Sequence, residues 1–175
     1  VKKPGAVTQP VVSKHVDDVL LVDERALEWA VGALVEQQRV VSEGAGAAGI
    51  AAIYQHREVF EGKKVGVVIC GGNIDPRLLA SILNRNMASD GRLARLRIDI
   101  SDEPGMLAGI TASISRCGGN IVEIYHQRLF YDLPAKLAKI DAVIETRGPD
   151  HVTEIIDELR GASFQVRQMD DYSGS

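Results

Sequence analysis

The chain has only two cysteines in 175 residues, Cys70 and Cys117, each beside a Gly-Gly pair. That is too few for a disulfide framework, and a reducing cytosol is the expected setting. No apolar run approaches the ~18 residues that a membrane-spanning helix needs. Val-Lys-Lys-Pro-Gly at the start has basic residues but no apolar core behind them, so it does not read as a signal peptide. There is no basic excess either: residues 1–90 carry ten basic and eleven acidic side chains, residues 91–175 ten and thirteen. Neither half is an electrostatic footprint for nucleic acid. The four histidines, at 15, 56, 126 and 151, lack ligand spacing, and no metal site is expected. His151 falls in the first turn of a helix-like segment and is expected at the surface. These absences leave a cytoplasmic protein that handles a small molecule.

What the chain does have is Cys-Gly-Gly-Asn-Ile twice, at 70–74 and 117–121. The first copy follows the apolar run Val65–Ile69 and leads through Pro76 into a helix pattern. The second follows the helix-like Ile110–Arg116 and leads into the strand-like Ile121–Tyr125. The same five residues thus turn strand to helix and then helix to strand, which divides the chain into two units.

In the first unit, Val19–Val22 reads as a short strand and Asp23 as the cap of a helix with Ala26, Leu27, Ala30, Val31 and Leu34 on one face. Gly44–Tyr54 is small and apolar all round, the pattern of a closely packed buried helix. Lys63–Ile69 resembles a strand covered on both faces. Pro76 suits the first turn of a helix over Arg77–Asn84 with a stripe of Leu78, Leu79, Ile82 and Leu83. The polar segment Asn84–Gly91 ends in Asp-Gly and marks the expected boundary.

Beyond it, Ala94, Leu96, Ile98 and Ile100 alternate with Arg95, Arg97 and Asp99, a half-buried strand. A helix with Leu107, Ile110 and Ile114 follows Asp102–Gly105. Strands at Ile121–Tyr125 and Lys139–Thr146 come next, joined by a longer link containing Leu133 and Pro134. Pro149 opens a helix bearing Val152, Ile155, Ile156 and Leu159, and Phe164 and Val166 begin a fourth strand. The order βαββαβ closes a four-stranded antiparallel sheet with two helices on one face.

Gly44-Ala45-Gly46-Ala47-Ala48-Gly49 matches the dinucleotide pattern GxGxxG. Alone it is weak evidence. The strand before it would be only Val40-Val41, Glu43 would face a pyrophosphate, and no strand ends in an acid about 20 residues on. Small residues for close helix packing are the better reading, and a nucleotide-binding module the weaker alternative.

Val-Val-Ser-Glu-Gly-Ala-Gly-Ala-Ala-Gly at 40–49, followed by Gly-Lys-Lys-Val-Gly-Val-Val-Ile-Cys-Gly-Gly-Asn-Ile-Asp at 62–75, resembles the threonine ammonia-lyases (threonine dehydratases). These are pyridoxal-phosphate enzymes of fold type II, the tryptophan synthase β-like class. The resemblance implies that residues 1–90 are the last portion of a catalytic domain. It places position 70 against the pyridine nitrogen of the cofactor, where the family usually has serine and this chain has Cys70. Gly71 and Gly72 would admit the ring, Asn73 would fix the loop, and Glu43 would lie near the cofactor. On the residues alone, a small buried Cys70 in a glycine turn is the better reading. The family's Ser-x-Lys-x-Arg-Gly segment, which carries the Schiff-base lysine, and its glycine-run phosphate cup do not occur here. Lys63 and Lys64 open a strand at the wrong end to replace that lysine. No catalytic residue is therefore assigned, this chain alone is expected not to deaminate threonine, and it is not expected to hold the cofactor by itself.

Residues 91–175 resemble an ACT domain, an amino-acid-sensing module. The likeness is sharpest at Asp102-Glu103-Pro104-Gly105-Met106-Leu107, Gly118-Gly119-Asn120-Ile121 and His126-Gln127-Arg128. It implies an effector site built from Asp102, Gly105, Met106, Leu107, Asn120 and Ile121. One copy would contribute the loop after its first strand, and a second copy the start of its second strand. Asp102 would receive an ammonium group, the helix start a carboxylate, and Asn120 either. Asp102 as a helix cap and Asn120 as a left-handed turn residue explain the spacing equally well. His126 is expected to share a strand with Arg128 at an interface.

Together the resemblances imply the regulatory portion of a medium-length threonine ammonia-lyase, which turns threonine into 2-oxobutanoate and ammonia. Isoleucine is the expected effector, valine a possible competitor, and a dimer or tetramer the expected assembly. The alternative is a stand-alone amino-acid-binding dimer with a non-catalytic N-terminal scaffold.

Overall fold

The computed structural model describes residues 5–127 and 137–169, and these divide into two compact units, Val1–Ile82 and Leu83–Ser175. The link with Leu133 and Pro134, and Arg128, lie outside the described residues.

The first unit is helical. Helix α1 covers Thr8–His15 and α2 Glu24–Ala33, which continues as a π-helical turn over Leu34–Gln38. Helices α3 (Gly44–Gln55), α4 (Arg57–Phe60) and the start of α5 (Pro76–Ser89) follow. Asp23 caps α2 as its position suggests, its carboxylate accepting from the Ala26 N–H at 2.8 Å. Of the expected face, Ala26, Ala30, Val31 and Leu34 are buried and pack with Ala47 and Ala51 of α3 and with Ile82, while Leu27 is partly buried against them. Trp29 of α2 stacks on Tyr54 of α3 with ring centroids 3.9 Å apart.

Three expectations for this unit need correction. Val19–Val22 and Lys63–Ile69 are not strands. A strand exists through the hydrogen bonds of its neighbours, and among the described residues neither segment has a ladder partner. Their apolar side chains accordingly stand open, Leu21 at 82% and Val68 at 84% exposure. Helix α3 is buried on one side only, through Gly46, Ala47 and Ala51, while Ala45 and Tyr54 are exposed. Helix α5 does not stop at Asn84 but runs five residues further, to Ser89.

The stop is chemical. Gly91 takes φ +68, the Gly91 N–H reaches the Ala88 carbonyl at 3.1 Å, and the Arg92 N–H reaches Met87 at 2.8 Å. This is the paired closure of a helix on a left-handed glycine, so Asp90-Gly91 is a helix terminus.

The second unit is the βαββαβ element order read from the sequence. Strand β1 is Leu93–Ser101, α6 Met106–Arg116, β2 Asn120–Gln127, β3 Leu137–Glu145, α7 Pro149–Gly161 and β4 Gln165–Gln168. The sheet is antiparallel in the order β2-β3-β1-β4. Alternation sends Leu96, Ile98, Ile140 and Ile144 to one face, where they are fully buried with Ile110 and Ile114 of α6 and Ile155 and Leu159 of α7.

The opposite face carries charge. Asp141 stands opposite Arg97 in the β1–β3 register and is 0% exposed. Arg97 closes on it with two bonds of 2.7 Å, Nε to Oδ1 and Nη2 to Oδ2, and Arg95 Nη2 adds one of 3.0 Å. The Arg97 hydrogen bonds lead in holding the Asp141 carboxyl below the usual carboxylate range, against burial, which pushes it up.

Close packing in the first unit rests on glycine. A Cβ at Gly46 would run into the Cys70 carbonyl, and one at Gly49 would come within 2.7 Å of Val67 Cγ1, whereas one at Gly44 meets nothing within 4 Å. Gly46→Ala is expected to destabilise by about 1–3 kcal/mol in urea unfolding, with Gly44→Ala as the near-neutral control. Equal effects of the two would refute the packing account. Arg97→Ala leaves a buried carboxylate with half its partners, and a loss of about 3–5 kcal/mol at pH 7 is expected. Because the folded-state value of Asp141 is lowered, its contribution is complete above the unfolded carboxylate range. It disappears as pH falls through the folded value. The gap between wild type and Arg97→Ala should therefore close in acid, and a constant gap would refute the assignment.

Candidate functional site

The first candidate region forms where the Cys70 turn lies on the start of α3. Ser42 is 1% exposed, and its hydroxyl donates to the Cys70 carbonyl at 2.9 Å, with the carbonyls of Glu43 and Gly71 at 3.1 and 3.3 Å. One hydroxyl proton thus serves a cluster of three acceptors. The Glu43 N–H donates to the Gly71 carbonyl at 2.6 Å. Gly71 takes φ +69, and a Cβ there would lie 2.5 Å from Glu43 Oε1. The turn is therefore held through its backbone, and its left-handed conformation at position 71 favours glycine.

The structure brings four of the expected residues together here, Glu43, Cys70, Gly71 and Gly72, with Asn73 next in the chain. Cys70 and the three residues after it are exposed. Cys70 is therefore not the small buried residue that the residues alone suggest. Ser42, the residue that anchors the turn, was missed: a serine before a glutamate carries no local signal, and its partners come from 28 residues away.

The GxGxxG segment is accounted for by the same packing. Two of its glycines, Gly46 and Gly49, are taken up by the protein's own Cys70 carbonyl and Val67 side chain. Close packing, rather than a dinucleotide, explains the small residues.

The second region is in the βαββαβ unit. Gly105, at φ +91, is the N-cap residue of α6, three positions after Asp102. Met106 packs on the core, and Leu107 is 37% exposed. Asn120 opens β2 opposite Glu145 and donates to its carboxylate at 2.7 Å. Its φ is not positive; the left-handed residue of that turn is Gly118, at φ +81. Ile121 is half-buried against the core.

These residues do not converge within one copy. Asp102 and Gly105 follow Ser101, which pairs with Leu137, whereas Asn120 pairs with Glu145, which pairs with Leu93. They stand at opposite ends of the sheet, separated by the length of β1, about 26 Å at 3.3 Å per residue.

His151 corrects another expectation. It is 4% exposed, not at the surface. The Arg147 N–H approaches its Nδ1 at 3.0 Å, and its Nε2 lies 2.8 Å from the Cys117 carbonyl. Burial comes first in pushing the Cys117 thiol up, with Glu154 and Glu158 adding to it. His126 lies in β2. Among the described residues no cluster of three His, Cys, Asp or Glu side chains could hold a metal, and no helix is long and apolar enough to cross a membrane.

No family model matches the chain. It is 38% identical to an L-threonine ammonia-lyase of Thermotoga maritima over 167 residues, 95% of this chain and 41% of that protein. It is 36% identical to one of Geobacter sulfurreducens over 166 residues, again 95% of the chain and 41% of the relative. The chain thus spans about two fifths of the length of these curated relatives. Among solved structures, the ACT domain from the GTP pyrophosphokinase of Chlorobium tepidum is 28% identical, with a TM-score of 0.36 over 44% of this chain and 96% of that one. The chain is homologous to the L-threonine ammonia-lyases along 95% of its length, and its second unit has a βαββαβ α/β fold.

Proposed function

We propose that the chain is the regulatory portion of a threonine ammonia-lyase, in which residues 1–90 complete a pyridoxal-phosphate catalytic domain and residues 91–175 sense an amino acid. The observation that carries this reading is the alignment with ammonia-lyases running through both units at 36–38% identity. The open apolar residues of the first unit, Val19, Leu21, Val65 and Val68, support it, because strand-like segments of that kind are covered in a complete parallel sheet.

The residues present fit one edge of the cofactor. Cys70 offers an exposed thiol, and the glycines after it leave backbone open to a flat ring. Cys70 would face the pyridine nitrogen, Gly71 and Gly72 would admit the ring, Asn73 would hold the loop, and Glu43 would stand beside it. When bound, pyridoxal phosphate supplies the electron sink for loss of the α-proton and β-hydroxyl of threonine, giving 2-oxobutanoate and ammonia. A neutral partner at position 70 keeps the ring less electron-withdrawing than a carboxylate would, which suits elimination over transamination.

In the ACT-like unit, Asp102, Gly105, Met106 and Leu107 of one copy would meet Asn120 and Ile121 of another, with the effector between them. The separation of these groups along β1 supports a bridging ligand over a site within one copy. Isoleucine is the effector proposed, with valine as its competitor and a dimer or tetramer as the assembly. Regulation then follows from unequal affinity of the ligand for two quaternary states.

Incubated with pyridoxal phosphate and threonine, the chain alone should form no 2-oxobutanoate; sustained production would sink the assignment of residues 1–90. Calorimetric titration with isoleucine should release or absorb heat, and mass measurement should give a dimer or tetramer. Absence of heat, or a strict monomer with and without ligand, would overturn the bridging sensor.

A further inference from the structure

Asn120 could meet a ligand with either a donor or an acceptor, because an amide carries both. Its neighbour across the sheet decides between them. Asn120 opens β2 directly opposite Glu145, the last residue of β3. Its Nδ2 donates to Glu145 Oε2 at 2.7 Å. An ionised carboxylate has no proton to give, so the amide nitrogen must face Glu145 and the group cannot be turned over. The amide oxygen is then turned away from β3. Strand β2 is an edge of the sheet in the order β2-β3-β1-β4, with β3 on its covered side. Oδ1 is therefore offered on the side from which a second copy can approach.

The charge at this end of the sheet acts in the same direction. Glu145 and Asn120 are both exposed, so the carboxylate is open to a ligand that reaches the amide. The nearby cations turn elsewhere: Arg147 lies 3.4 Å from Glu154 on α7, and Arg92 lies 3.0 Å from Asp90. A lone pair from Oδ1 and the negative charge of Glu145 together favour an ammonium group here and disfavour a carboxylate. An exposed hydrogen bond of this kind adds only modestly to stability. Its larger consequence is which atom of Asn120 a ligand meets.

We propose that Glu145 is a positioning residue that assigns Asn120 to the ammonium group of the amino-acid effector, and so sets the direction in which the effector lies between two copies. The inference rests on the reading that Asn120 contacts the effector. The ammonium then lies between Asn120 of one copy and Asp102 of the other. The carboxylate turns to the N–H groups at the start of α6, beside Gly105. Glu145 makes the site discriminate an amino acid from an acid of the same skeleton that lacks the ammonium.

The test uses the full 175-residue chain. L-Isoleucine and 2-hydroxy-3-methylpentanoate, which carries a hydroxyl in place of the ammonium, are each titrated calorimetrically. Wild type is compared with Glu145→Gln, whose amide can donate to Asn120 as well as accept and so releases its orientation. Glu123→Gln is the control; it removes another exposed carboxylate of the sheet, one that accepts from the Tyr125 hydroxyl at 2.8 Å. Isoleucine affinity is expected to fall about tenfold in Glu145→Gln, the scale of one hydrogen bond to a charged group. The hydroxy acid should lose much less, and Glu123→Gln should leave both ligands unchanged. Undiminished isoleucine binding in Glu145→Gln overturns the proposal. So does an equal loss for both ligands, which a merely structural role would give, or the same loss in Glu123→Gln. Where the hydroxy acid binds neither protein measurably, the isoleucine comparison alone decides. If wild type binds no isoleucine, the effector reading fails and this assignment falls with it. If Asn120→Ala abolishes isoleucine binding while Glu145→Gln does not weaken it, the effector reading stands and only the role of Glu145 is overturned.

Discussion

Burial of one alternating face of the four-stranded sheet is the constraint on which the second unit depends. Leu96, Ile98, Ile140 and Ile144 reach the helices only if β1 and β3 keep their register, because a slip of one residue would turn every side chain over. Each such side chain contributes about 1.5–3 kcal/mol when fully buried. The same alternation sends Arg95, Arg97 and Asp141 to the helix-free face. Asp141 is nevertheless buried completely there, by arginines rather than by aliphatic chains. The apolar face sets the register, and the register then brings the charge cluster together.

The two Cys-Gly-Gly-Asn-Ile turns are held by similar means in unlike settings. In both, the first glycine is left-handed, Gly71 at φ +69 and Gly118 at φ +81. In both, the cysteine carbonyl accepts from a buried side chain remote in sequence, Ser42 in the first and His151 in the second. The cysteine side chains differ, Cys70 standing exposed and Cys117 half-buried.

Legibility followed the range of the interaction. The Asp23 cap, the alternation of β1 and the stripe of α7 are set by residues within a turn or a pleat of one another, and the structure agrees with them. Glu43, Cys70 and Gly71 were legible as one site only through the spacing of two motifs that resemble a family. Val19–Val22 and Lys63–Ile69 had the composition of strands, but a strand also requires a neighbour. The polar run after Asn84 read as a domain boundary, and its polarity hid the last residues of α5, which close at Gly91 through backbone bonds.

Sequence by itself determined the order βαββαβ, the faces of its helices and strands, and the two glycine turns, because period and local conformational preference are written in neighbouring residues. Tertiary structure alone decided which polar groups became buried. Asp141 reads as a surface residue until Arg97 lies across from it, and His151 as a surface histidine until α6 brings the Cys117 carbonyl to its ring. It also decided that Asp102 and Asn120 lie at opposite ends of one sheet, since antiparallel pairing places residues by register and not by distance along the chain.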